Sequence, residues 1–167
     1  MKCLLMRQPY ASLIAYGCKR WEFRSYNCSY QGKVGIASSR GRPFKTGDDN
    51  LNEHAKSFPR GFVLATGELV RSFPASSNDL RKNYKGQVKI KIHGFSVTVA
   101  KGPLGEPIND IQMALDNEEW KSFVWEFADI VPFSSPVQIN AKSNGVWIDI
   151  EVKETGNRGR KDLMSYL

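Results

Sequence analysis

The chain has 167 residues, 41% of them hydrophobic and 25% charged, which is the composition of one ordinary globular domain. No apolar stretch approaches the ~20 residues that span a bilayer. The opening "MKCLLMRQPYASL" is broken by Arg7 and Pro9 too early for a signal peptide. A soluble, cytoplasmic or nuclear protein without a membrane partner is therefore expected. The net charge of +7 favours polyanionic partners, RNA or DNA among them.

Cys3, Cys18 and Cys28 cannot all pair with one another and show no Cys-x-x-Cys spacing, which indicates neither a disulfide framework nor a zinc site. His54 and His93 are far apart and are expected at the surface. No metal and no cofactor are expected, and the chain is expected to be a monomer.

In chain order, "MKCLLM" predicts a short apolar strand. Gln8 is placed to cap a helix with Pro9 at its first position, where the missing N–H costs nothing. The helix "PYASLIAYG" buries Leu13 and Ile14, and Gly17 ends it. "KRWEFRSY" alternates, with Trp21 and Phe23 facing the core and Arg20, Glu22 and Arg24 facing away. "KVGIASS" (33–39) is a buried strand.

Residues 40 to 60 are loop and helix, and "RGFVLATGELVRSF" (60–73) is the longest expected strand. Gly67 within it marks a bulge or a close approach. "PASSNDLRKNY" is a capped helical turn. "GQVKIKI" and "GFSVTV" flank His93-Gly94 as a hairpin. "KGPLGEP" is a loop, "INDIQMALDNEEWKSF" a helix, and "FVWEFADIVPF" a strand closed by Pro132. "VQINAKSNGVWIDIEV" (137–152) is strand, turn and strand, and a polar basic tail occupies 153–167. The fold class expected is α+β and mostly antiparallel, a small β-barrel with short helices. The segment at about 74–121 is an elaboration on that single domain of residues 1–152.

Gly17, Lys19, Glu22 and Arg24 form the pattern Gly-x-Lys-x-x-Glu-x-Arg, preceded by Gln8, Pro9, Tyr10 and Ala11. With "GKVGIASS", "GFVLATGELVRSF" and "WEFADIVPFSSPVQINAKSNGVW", this resembles the ASCH family, the activating-signal-cointegrator homology domains. Nothing between about 74 and 121 corresponds. The resemblance implies a PUA-like β-barrel with a basic cleft that binds RNA or DNA. Some bacterial members are amidohydrolases on acetylated cytidine, and ribonuclease activity is attributed to others.

Lys19 and Arg24 supply phosphate contacts, and Glu22 either holds them in place or accepts from a base amine. The ordinary alternative is an amphipathic strand whose outer ion pairs contribute under ~1 kcal/mol each. Other candidate contacts are Arg7, Gln8, Ser38, Ser39, Arg40, Lys142, Asn144 and Trp147. Gln8 has a cap as its alternative role, Ser38 and Ser39 a plain strand end, and Trp147 core packing.

Were the chain an enzyme, Lys19 and Glu22 are the candidate catalytic residues. The amidohydrolase branch has a threonine nucleophile at the position Glu22 occupies, so that mechanism does not carry over. A neighbouring carboxylate also favours an ammonium, whereas a nucleophilic lysine must be neutral. Trp21, Phe23, Trp125 and Phe127 are expected in the core.

Overall fold

A computed structural model describes residues 1–143 and 145–151. The elements are β1 (Lys2–Met6), α1 (Tyr10–Ala15), β2 (Trp21–Arg24), β3 (Gly32–Ser38), α2 (Asp49–Ala55) and β4 (Phe62–Ser76). They continue with α3 (Ser77–Asn83), β5 (Gln87–Ile92), β6 (Phe95–Ala100), α4 (Ile108–Asp116), β7 (Lys121–Gln138) and β8 (Trp147–Asp149).

Six strands form one sheet in the order β2-β7-β4-β3-β1-β8, and β5 and β6 pair separately as a hairpin. β1 and β3 run parallel, and the other paired neighbours run antiparallel. The architecture is α+β and mostly antiparallel. Among the described residues the outer strands β2 and β8 do not pair with each other, so the expected closed barrel is not found.

Helix α1 is buried along Ala11 to Ala15 and packs Ala11, Ile14 and Ala15 against the sheet residues Leu4, Ile36, Leu69 and Trp125. Burying side chains such as Leu13 and Ile14 contributes about 1.5–3 kcal/mol each. Pro9 is the N-cap and Tyr10 the first helical residue, one position later than the sequence pattern suggests. Gln8 Oε1 accepts from the Ser12 N–H at 3.1 Å, and Gln8 Nε2 donates to the Pro59 carbonyl at 2.6 Å. Gly17 ends the helix at φ +75, a conformation that side chains resist. The N–H groups of Cys18 and Lys19 then both return to the Leu13 carbonyl.

β7, at 18 residues, is longer than the 15-residue β4 expected to be longest. Pro132 does not end it. Pro132 faces Ala65 at a register shift, and β2 pairs with β7 only through Phe123–Glu126. The proline thus lies where β7 has one free side and an irregular register, a place where a strand tolerates proline. Gly67 lies at another register shift, where a Cβ would come within 2.4 Å of Ile130.

The region 74–121 holds α3, the β5–β6 hairpin and α4. Ser76 and Asp79 cap α3 reciprocally. Leu80, Ala100, Leu104 and Ile111 form a cluster with Trp21 and Val124 of the main sheet. The hairpin's Ile92, Val97 and Val99 pack with Leu13 of α1 and Leu51 of α2. The elaboration therefore shares its core with the sheet. His93, expected at the surface, is half-buried and bonds Ser12 Oγ at 2.9 Å and Tyr16 OH at 3.2 Å. The tail from residue 152 onward lies outside the described residues.

Candidate functional site

Lys19 is the centre of the arrangement. The turn after α1 delivers it to a position with no solvent exposure. Its ammonium donates to the Trp21 carbonyl and to Glu106 Oε1, and Glu22 Oε2 lies 3.7 Å away. The Phe23 ring centroid is 4.6 Å from Nζ, within cation–π range. Glu22 reaches the other way to Arg24, whose Nε is 3.2 Å from Glu22 Oε1. Glu22 therefore links Lys19 to Arg24.

Glu106 is the partner that the sequence pattern did not reveal. It sits in the loop after β6, and Gly105 before it has φ +58. The loop is tied to β2 because the Arg20 and Trp21 N–H groups both donate to the Pro103 carbonyl at 2.9 Å. A signal was present: "GPLGEP" brackets one carboxylate with glycines and prolines, which fix backbone geometry. Burial pushes the Glu106 carboxyl above the usual carboxylate range, and Lys19 pulls against that shift without cancelling it.

Glu22, Phe23, Arg24 and Glu106 line a cavity of about 1070 Å³. Glu22, Glu106 and Asp110 line it as carboxylates, and Tyr10, Phe23 and Trp120 as aromatics. The elaboration supplies Leu80, Glu106, Asp110, Ile111, Ala114 and Trp120, so it builds one side of the site. Tyr10 feels this wall. Its hydroxyl is pushed far above the ordinary phenol range by burial, then by Glu106, Asp110 and Glu22. Asp110 Oδ1 accepts from the Gly47 N–H at 2.9 Å, and burial raises this carboxyl as well.

Among the described residues the buried Ser39 Oγ and Asp110 Oδ2 have no hydrogen-bond partner, and Arg24 Nε is ion-paired to Glu22 Oε1 at 3.2 Å without an aligned hydrogen bond. All three residues line this cavity. Buried polar groups are normally satisfied, and leaving one unmet costs about 1–3 kcal/mol. Their concentration around one cavity gives it a donor and acceptor pattern that a polar ligand can complete.

The structure brings together Arg7, Glu22, Arg24, Ser38, Ser39, Arg40 and Lys142 around the cavity, with Lys19 buried behind it. Some of these have prior engagements. Arg7 donates to the carbonyls of Arg42 at 2.9 Å and Pro43 at 3.2 Å. Ser38 Oγ exchanges hydrogen bonds with the Phe62 backbone at 3.2 Å. Arg40 donates to the Ile139 carbonyl.

Two expected contacts, Gln8 and Trp147, are not brought to the cavity. Gln8 is fully buried and holds α1 to the Pro59 carbonyl. Trp147 stacks on Trp125, with centroids 5.7 Å apart and planes at 14°, and so serves packing instead of a base. Asn144 lies outside the described residues. Phe23, expected in the core, is half-buried, lines the cavity and packs edge-on against Trp120.

The wall is therefore not uniformly basic. Its most buried charged lining residues are the carboxylates Glu22 and Glu106, Arg24 and Asp110 are half-buried, and Arg7, Arg40 and Lys142 are exposed. The described residues contain no group of three or more His, Cys, Asp or Glu placed to hold a metal ion, and no helix long and apolar enough to cross a membrane. Neither family models nor curated proteins give a match to this chain.

Proposed function

We propose that the protein is an ASCH-type, PUA-like module that binds single-stranded nucleic acid and takes one unstacked base into the cavity. The observation that carries this reading is the convergence of Ser39 Oγ and Asp110 Oδ2, buried and without a hydrogen-bond partner, and of Arg24, ion-paired to Glu22, on one aromatic-lined cavity. Carboxylates suit the exocyclic amine or ring N–H of a base, and aromatic walls suit its faces. Exposed Arg40 and Lys142 suit the phosphates that the carboxylates would repel. The signature residues Lys19, Glu22 and Arg24 lie together at this cavity, and the chain's +7 charge favours a polyanion.

The test is fluorescence anisotropy with a labelled mixed-sequence 12-nucleotide strand, as RNA and as DNA. Arg24→Ala and Asp110→Asn should each weaken binding, by about 10-fold for loss of a charged hydrogen bond. Unchanged affinity in both folded variants overturns the assignment. A preference for the RNA strand indicates that the 2′-hydroxyl is read.

A second reading is hydrolysis of RNA or of a modified nucleoside. What favours it is the buried Lys19–Glu106 pair beside Glu22, since raised carboxyls at a cavity wall suit proton transfer. The protein is incubated with single-stranded RNA and with acetylated cytidine, against a Glu106→Gln control. Product above that control supports hydrolysis, and equal signals remove it.

A further inference from the structure

We propose that Phe44 is a stacking platform for the nucleotide next to the one in the cavity, and that Arg42, Lys45 and Arg60 track its phosphates. This rests on the nucleic-acid reading above.

Phe44 is 44% exposed, although large aromatic side chains ordinarily bury most of their surface. It lines the main cavity on one side and a second, shallower basin of about 610 Å³ on the other. Its ring is 5.5 Å from Tyr10, which belongs to the main cavity, so aromatic surface continues from the cavity to the rim.

The platform is fixed in advance. The Phe44 N–H donates to the Gln8 carbonyl at 2.6 Å. Arg7 clamps the two preceding carbonyls and lies 5.6 Å from the ring centroid. A fixed loop loses little entropy when a ligand settles on it. Arg7 is thus a positioning residue for the platform, which explains why its guanidinium turns to backbone carbonyls.

The basin beyond Phe44 carries a larger cationic surplus than the main cavity. Arg42, Lys45 and Arg60 line it and make no ion pair among the described residues. Lys56 is paired to Glu53 at 2.5 Å, and Asp49 is the remaining carboxylate. Three free cations against one carboxylate, beside an exposed ring, fit a polyanionic strand whose bases stack in any sequence. They do not fit an acidic peptide as well, because a peptide has no regular aromatic face for Phe44.

The experiment compares a labelled 8-nucleotide single-stranded RNA with cytidine, adenosine, guanosine and uridine monophosphates. Phe44→Ala should weaken the 8-mer about 10-fold, and Phe44→Trp should restore it. The triple variant Arg42→Ala/Lys45→Ala/Arg60→Ala should lower the salt slope for the 8-mer by about 2. It should leave monophosphate binding unchanged, since those three residues do not line the main cavity. An 8-mer affinity and salt slope that stay at wild-type values in both variants overturn the proposal. Loss of 8-mer binding in these variants, with no monophosphate bound by the wild type, supports the track and overturns the base-in-cavity reading instead.

Discussion

The Lys19 ammonium and the Glu106 carboxylate meet in the interior although 87 residues separate them in sequence. The contact joins the turn after α1 to a loop of the 74–121 elaboration. It makes the elaboration part of the site and not an appendage. Two charges out of water are expensive, and their attraction offsets that cost only when both are present.

Removing one partner should therefore be severe. Lys19→Met leaves Glu22 and Glu106 facing each other without their common cation, and should destabilise the fold by about 3 kcal/mol or more. Lys19→Met/Glu106→Leu should recover most of the loss. Urea denaturation of the two variants and the wild type checks this. A double variant as unstable as the single one would show that the pair itself supplies net stability.

Gly105 sets the approach of its loop to the turn that carries Lys19. A Cβ there would lie 2.4 Å from the Lys19 Cα, and the residue has φ +58. Gly105→Ala should lower stability by at least about 1–2 kcal/mol from the backbone conformation alone. Gly86→Ala is the comparison, because it shares a positive φ of +88 but meets nothing within 4 Å. Equal losses in the two variants would mean that the close contact with Lys19 contributes nothing.

Asp110 gives a pH signature. Burial raises its folded-state carboxyl above the ordinary value of 3.8. The folded form then holds a proton that the unfolded form has already released. Stability attributable to this group is thus complete below the unfolded value and declines as pH rises through the folded one. Asp110→Asn removes the decline and keeps an oxygen for the Gly47 N–H. Stability of the variant relative to wild type should grow as pH rises from about 4 and then level off. Denaturation midpoints across that range check it, and a constant difference would contradict it.

Asp79 should behave in the opposite sense. The Ser76 backbone N–H and hydroxyl hold its carboxyl below the ordinary 3.8. Its contribution is present above the unfolded value and is lost as pH falls through the lower folded one. Asp79→Asn should therefore flatten the acid limb of the stability profile below about pH 4, whereas Asp110→Asn acts above it.

Much of the framework was legible because it obeys local rules. Alternation placed β2, β5 and β6, and Gly17 and the Ser76–Asp79 cap fixed helix ends through backbone chemistry. The reach of β7 past Pro132 was not legible, because it depends on which strand flanks it and where. Lys19, Glu22 and Arg24 were legible as a cluster, since they lie within six residues of sequence. Glu106 and Asp110 were not, because a loop and a helix start are brought to the cavity by tertiary packing of the elaboration. Phe23 packs against the core as expected and also lines the cavity, because strand alternation decides the face of a side chain but not whether a cavity opens on that face. For Trp147 the packing alternative is the one the structure shows, in its stack on Trp125.

The most direct test is a titration of the labelled protein with single-stranded RNA, followed residue by residue in amide nitrogen–proton correlation spectra. Shifts concentrated at Phe23, Arg24, Ser39, Asp110 and Trp120 are the expected result, with Phe44 following. Shifts absent from these residues, while the RNA perturbs Lys89 and Lys91 of the hairpin or perturbs nothing, would contradict a base held in the cavity.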